Sequence, residues 1–195
     1  MGTNTVFREA PYKNKLPKKI SIETFLRKYR KGGPGEKYEF NNGIIEKTEA
    51  MKFREQYLAF NIINHFERTK AAKKGAKLVQ ELEVWTSEVQ WRKPDLCLVT
   101  LEQTRAAYDG FEPMPAFVIE VISPNDKITM VKSKVNEYFD AGVEVIWLIF
   151  PHNQSVEVYL SNSKQIEICT GDMVCSVEPF IEGFKIKASD IFKSS

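Results

Sequence analysis

The 195-residue chain has few of the groups that make disulfides or bind soft metals. It has three cysteines, Cys97, Cys169 and Cys175, and two histidines, His65 and His152. The cysteines are odd in number and widely spaced, with no Cys-x-x-Cys pair, so neither a disulfide framework nor a zinc site has support. Any metal must rely on oxygen ligands. No apolar run approaches the roughly 20 residues that span a bilayer. The opening MGTNTVFREAPYKNK has no apolar stretch of the kind that marks a secretory signal. The expectation is a cytoplasmic protein, in a reducing compartment and with no membrane partner.

Net charge is small, +2, but unevenly placed. Residues 1–37 hold ten Lys or Arg against Glu9, Glu23 and Glu36, which is +7 and leaves −5 for the remainder. That segment reads as a basic N-terminal arm with a short helix, preceding a domain over 38–195. Such an arm can neutralise phosphates, or it can be no more than a solvated face. Charge alone leaves both open.

Hydrophobic patterning gives the order of elements. Ser21–Tyr29 reads as a capped helix closed by Gly32-Gly33-Pro34-Gly35. Asn41-Asn42-Gly43, between Lys37–Phe40 and Ile44–Glu46, marks a hairpin. From about Met51 to Lys70 a helical stripe runs through Leu58, Ala59, Ile62, Ile63 and Phe66, with Glu55 at its head. Strand-like runs follow at Leu78–Trp85, Pro94–Val99 and Phe117–Ile122. Ser123-Pro124-Asn125-Asp126 ends the third run and caps a helix over about 127–140, which stops at Ala141-Gly142. Val143–Phe150 reads as a further buried strand, so a strand, a helix and a strand predict a right-handed parallel crossover. The tail reads as β-hairpins ending in a short element near Ser189–Phe192. The fold expected is one α/β domain with a mixed sheet.

Two residues stand out against this pattern. Asp95 and Glu120 are each the only charge in an otherwise apolar strand, and an ionised carboxylate there is costly unless cations or donors compensate it. Alternation puts Asp95 on a face with Cys97 and Val99, and Glu120 with Val118 and Ile122. If the strands are neighbours, the carboxylates sit side by side, and either one takes up a proton or a divalent cation lies between them. Hard oxygen ligands with open positions suit Mg²⁺ or Mn²⁺. Pairing with lysine is the rival explanation. The helix over 127–140 supplies two candidates, Lys134 and Lys132, at opposite edges of its buried face, each able to run its stem along apolar surface.

In their order and spacing, these residues resemble the PD-(D/E)XK nuclease superfamily, and within it the Uma-type restriction-endonuclease-like proteins. The resemblance rests on Tyr38-Glu-Phe-Asn-Asn-Gly-Ile-Ile-Glu46, Lys93-Pro-Asp-Leu-Cys-Leu-Val99 and Phe117-Val-Ile-Glu-Val-Ile-Ser-Pro124. It continues through Lys134–Val143 and Val145–Pro151. It implies a core of helix, three strands, helix and strand, and a Mg²⁺- or Mn²⁺-dependent endonuclease that hydrolyses phosphodiester bonds, with DNA as its partner. By the same resemblance Asp95 and Glu120 are metal ligands and catalytic residues. Glu55 and the main-chain carbonyl of Val121 complete the metal shell. The sequence departs from the superfamily at Ile122, where a lysine is usual, and the resemblance transfers that role to Lys134, four residues before Tyr138. Cleavage of two strands adds a homodimer by analogy. The alternative is a catalytically degenerate nuclease fold that binds nucleic acid or protein.

Overall fold

The computed structural model describes residues 18–194. Arg8, Lys13 and Lys15 of the basic arm lie outside the described residues. The chain runs α1 (Ile22–Lys28), β1 (Glu36–Asn41), β2 (Ile44–Glu49), α2 (Phe53–Phe66), α3 (Lys70–Lys73), β3 (Lys77–Gln80), β4 (Val84–Ser87), β5 (Gln90–Arg92) and β6 (Leu96–Val99). It continues with α4 (Leu101–Tyr108), β7 (Phe117–Val121), α5 (Ile128–Asp140), β8 (Val145–Phe150), β9 (Ser155–Leu160), β10 (Ile166–Thr170), β11 (Val174–Ser176), β12 (Lys185–Lys187) and α6 (Ala188–Phe192).

A six-stranded sheet in the order β10-β9-β8-β7-β6-β3 forms the centre. Its one parallel pair is β7 with β8, joined through α5 as the strand–helix–strand pattern predicts. Both faces are buried, which explains the nearly unbroken apolar runs. One face sets Leu96, Phe117, Ile119 and Trp147 against Leu58, Ala59, Ile62 and Phe66 of α2. The opposite face sets Cys97, Val118, Ile146 and Leu148 against Val135 and Tyr138 of α5.

A second sheet, β2-β1-β5-β4, carries its own small core of Phe25, Phe40 and Trp91. Its β1–β2 hairpin turns at Asn42 and Gly43, with φ of 49° and 87°. Positive φ at both central residues matches the right-handed twist of the strands, which is why Asn-Gly serves there. The 37/38 boundary expected between arm and domain falls inside β1.

The expected run Leu78–Trp85 is two strands in two sheets. The chain breaks at Glu81, where φ is 50°. The Glu81 amide donates to the Asp95 carbonyl (3.2 Å), and Val84–Ser87 crosses to pair with β5. β5 itself has only three residues, too few for periodicity to show. The connection over 100–116 contains α4, capped reciprocally by Thr100 and Gln103. α5 starts at Ile128, and Lys127 at its N-cap makes no side-chain capping bond. Within the expected capping segment Ser123–Asp126, Asp126 instead accepts from the Ser123 amide (2.8 Å).

The C-terminal segment closes the α2 face. Phe184 is fully buried and stacks on Trp147 (centroids 5.6 Å apart), with edge contacts to Phe66 at 5.2 Å and Phe117 at 6.0 Å. Phe184→Ala should therefore lower the unfolding free energy by about 3–5 kcal/mol, read as a lower urea midpoint at unchanged m-value.

Candidate metal centre and its buried ion network

β6 and β7 pair antiparallel, Leu96 with Ile119 and Cys97 with Val118. Continued one residue further, this register sets Asp95 opposite Glu120 on the face covered by α5. The two are 5% and 7% exposed, and both line a cavity of about 700 Å³ between the end of these strands, the β1–β2 hairpin and α5. The neighbouring Cys97 thiol is not a nucleophile at neutral pH, because burial, reinforced by Glu120, pushes it up to about 12.

Each carboxylate is met by an ammonium. Asp95 Oδ1 accepts from Lys37 Nζ at 2.7 Å, and Oδ2 accepts from the Val121 amide at 2.7 Å. Glu120 Oε1 accepts from the Tyr138 hydroxyl (2.7 Å) and is 2.8 Å from Lys134 Nζ. Lys134 and Tyr138 reach one oxygen because residues four apart share a helix face. Lys132, the other candidate, is drawn away to Glu157 (2.9 Å) and the Tyr159 hydroxyl on β9.

The network extends beyond these pairs. Lys134 Nζ also contacts Glu39 Oε1 at 3.0 Å. Glu39 accepts from the Lys93 amide (3.0 Å) and from Arg92 (3.2 Å), and Arg92 in turn binds Glu46 and Glu137. The Arg92–Glu137 contact is a fork, Nε to Oε1 at 2.8 Å and Nη2 to Oε2 at 2.5 Å. Five carboxylates, Glu39, Glu46, Asp95, Glu120 and Glu137, thus share three cations, Lys37, Arg92 and Lys134, leaving two formal negative charges.

The titration behaviour follows from burial set against these neighbouring charges. Burial pushes the Glu120 carboxyl up; Lys134 opposes this, but nearby Asp95 adds to it. Burial would lower the Lys134 ammonium, yet Glu120 and Glu39 hold it above its usual value. Burial would raise Glu39 too, but Lys134, Arg92 and Lys37 overcome it and hold Glu39 at about 2.

Among the described residues, no three carboxylate, histidine or cysteine side chains stand together as a ready metal cage. The donors present nonetheless fit Mg²⁺ or Mn²⁺. Such ions commonly use one or two carboxylates, with waters and substrate phosphates filling the remaining positions, and the network's two excess negative charges match a divalent cation. Glu55 also lines the cavity, though its Oε2 accepts from the Lys52 amide (2.7 Å) and so caps its own helix. Val121 meets Asp95 through its amide.

The sequence pattern does not mark Lys37, Glu39, Glu46, Arg92 and Glu137 as site residues. Lys37 sits among the charges of the basic arm, yet only 6% of it is exposed. The alternation Lys37-Tyr38-Glu39-Phe40, with two charges on one strand face, was the available signal.

Glu39 contributes stability above its unfolded value, near 4.5, and that contribution is lost as pH falls toward about 2. Glu39→Gln should be less stable than the native protein at pH 7, and the gap should narrow between pH 4.5 and 2 in acid unfolding monitored by circular dichroism.

Comparison with known proteins bears on the family and the fold. A family model described as "Putative restriction endonuclease", Uma2, matches residues 22–189. Nothing among the curated proteins matches. Among solved structures, a crystal structure from Anabaena variabilis, described as a "putative nuclease belonging to DUF820", superposes with a TM-score of 0.73 at 20% identity. The match covers 89% of this chain and 97% of that one. At that identity the likeness establishes the fold, a mixed α/β architecture shared with the Anabaena protein. The family match spans most of the chain, and the chain belongs to the Uma2 family.

Proposed function

We propose that this protein is a divalent-metal-dependent endonuclease that hydrolyses phosphodiester bonds in DNA. The observation that carries the reading is the pairing of Asp95 and Glu120 on adjacent strands at the wall of a cavity, inside a network two positive charges short. The family's description, a putative restriction endonuclease, supports nuclease chemistry, and DNA is the substrate we infer from that description.

Asp95 and Glu120 would hold the cation, with the Val121 carbonyl and Glu55 as the further ligands expected. When bound, Mg²⁺ or Mn²⁺ supplies charge neutralisation at a phosphate and a lowered pKa for its water. Tyr138 and Lys134 both hold Glu120 through Oε1, and Oε2 is the oxygen we assign to the cation. Lys134 stays protonated at neutral pH between Glu120 and Glu39, so it acts as a hydrogen-bond donor to phosphate oxygen or the attacking water, not as a base. Cutting both strands of a duplex requires two such sites, so a homodimer belongs to the proposal.

One observation favours the degenerate reading: both candidate ligands already carry an ammonium at 2.7–2.8 Å. Plasmid cleavage in Mn²⁺ separates the two. The nuclease reading expects cleavage by the native protein, none by Asp95→Asn, and a loss of about 100-fold or more in Lys134→Met, with folding checked by thermal melting. DNA binding without cleavage at any Mn²⁺ concentration would instead establish a binding module.

A further inference from the structure

Lys37 reaches the site from outside the central sheet. It comes from β1, in the second sheet, and reaches across to Asp95 on the central sheet. Its side chain is 5% exposed and its ammonium lies 2.7 Å from Oδ1. Among the described residues Asp95 is the one hydrogen-bond partner of that ammonium. Lys134 differs, being held by two carboxylates, Glu39 and Glu120. Lys37 also lines the cavity, so its ammonium has space to rotate into without leaving the protein.

We propose that Lys37 is a resident counter-ion of Asp95 that a divalent cation must displace, and that the displaced ammonium then pairs with a phosphate of the nucleic acid. The inference rests on reading Asp95 as a metal ligand. A monovalent ammonium and a divalent cation on the same carboxylate repel each other strongly in a poorly solvated site. A polyanion in the cavity relieves that repulsion by giving Lys37 a second partner. Metal and nucleic acid then bind cooperatively, and by linkage each raises the affinity of the other by the same factor. In the absence of nucleic acid, Lys37 keeps Asp95 neutralised and the metal affinity low.

The test is calorimetric titration of Mn²⁺ into the native protein, Lys37→Met and Lys37→Arg, with and without a phosphorothioate DNA duplex. Without DNA, Lys37→Met should bind Mn²⁺ about 10-fold tighter or more than the native protein. Its unfolding temperature should also rise more on adding Mn²⁺. Lys37→Arg, which keeps the charge, should bind no tighter than native. The duplex should strengthen Mn²⁺ binding by the native protein and have much less effect in Lys37→Met. Should Lys37→Met fail to fold, Lys37→Gln keeps a hydrogen bond to Asp95 without the charge and carries the same expectation. A folded, uncharged variant that binds Mn²⁺ no tighter than the native protein overturns the role of Lys37 and leaves the metal site standing. No Mn²⁺ binding by any of the proteins at millimolar concentrations overturns both.

Discussion

A buried guanidinium holds this structure together. Arg92, 2% exposed, sits where β1, β2 and α5 converge and binds Glu39, Glu46 and Glu137. Through those contacts it fastens the second sheet and α5 to each other across the cavity. The positions of Lys37 and Glu39 on β1, and of Lys134 on α5, follow from that attachment. Removing one partner of such a pair commonly costs about 3–5 kcal/mol, since a charge is left buried without compensation. Arginine suits the position because its planar fork satisfies several carboxylates at once and does not deprotonate.

Ion pairs of this kind are a poor choice for stability alone, because well-packed apolar residues of equal volume often do as well or better. Here the charges do not balance. Glu39 is held at about 2 because three cations surround it, while Glu120, sharing Lys134 with Glu39 and lying opposite Asp95, is pushed upward. Glu120 is thus the carboxylate of the network whose ionised form is least well compensated, and it lines the cavity.

Much of this was legible in the sequence, for identifiable reasons. The central strands are buried on both faces, so a lone Asp or Glu in each stood out, and the α5 stripe placed Lys134 and Tyr138 together. The rest lies where local signals are weak. Glu81 turns the chain with a positive φ that its side chain does not advertise, so Leu78–Trp85 reads as one strand-like run although it spans two sheets. β5 is three residues long, yet it carries Arg92. Lys37 resembled its basic neighbours until β1 was paired, and only long-range contacts show that it faces Asp95. The partners of a buried charge are set by tertiary structure, whereas the oddity of the charge is visible in one dimension.

Anomalous diffraction from crystals soaked in Mn²⁺ decides whether Asp95 and Glu120 jointly hold a divalent cation, as we propose. The expected result is a peak between the two carboxylates, within ligand distance of both, with Lys37 moved off Asp95. A peak at other residues, or Lys37 and Lys134 unmoved with no peak between them at saturating Mn²⁺, would contradict it.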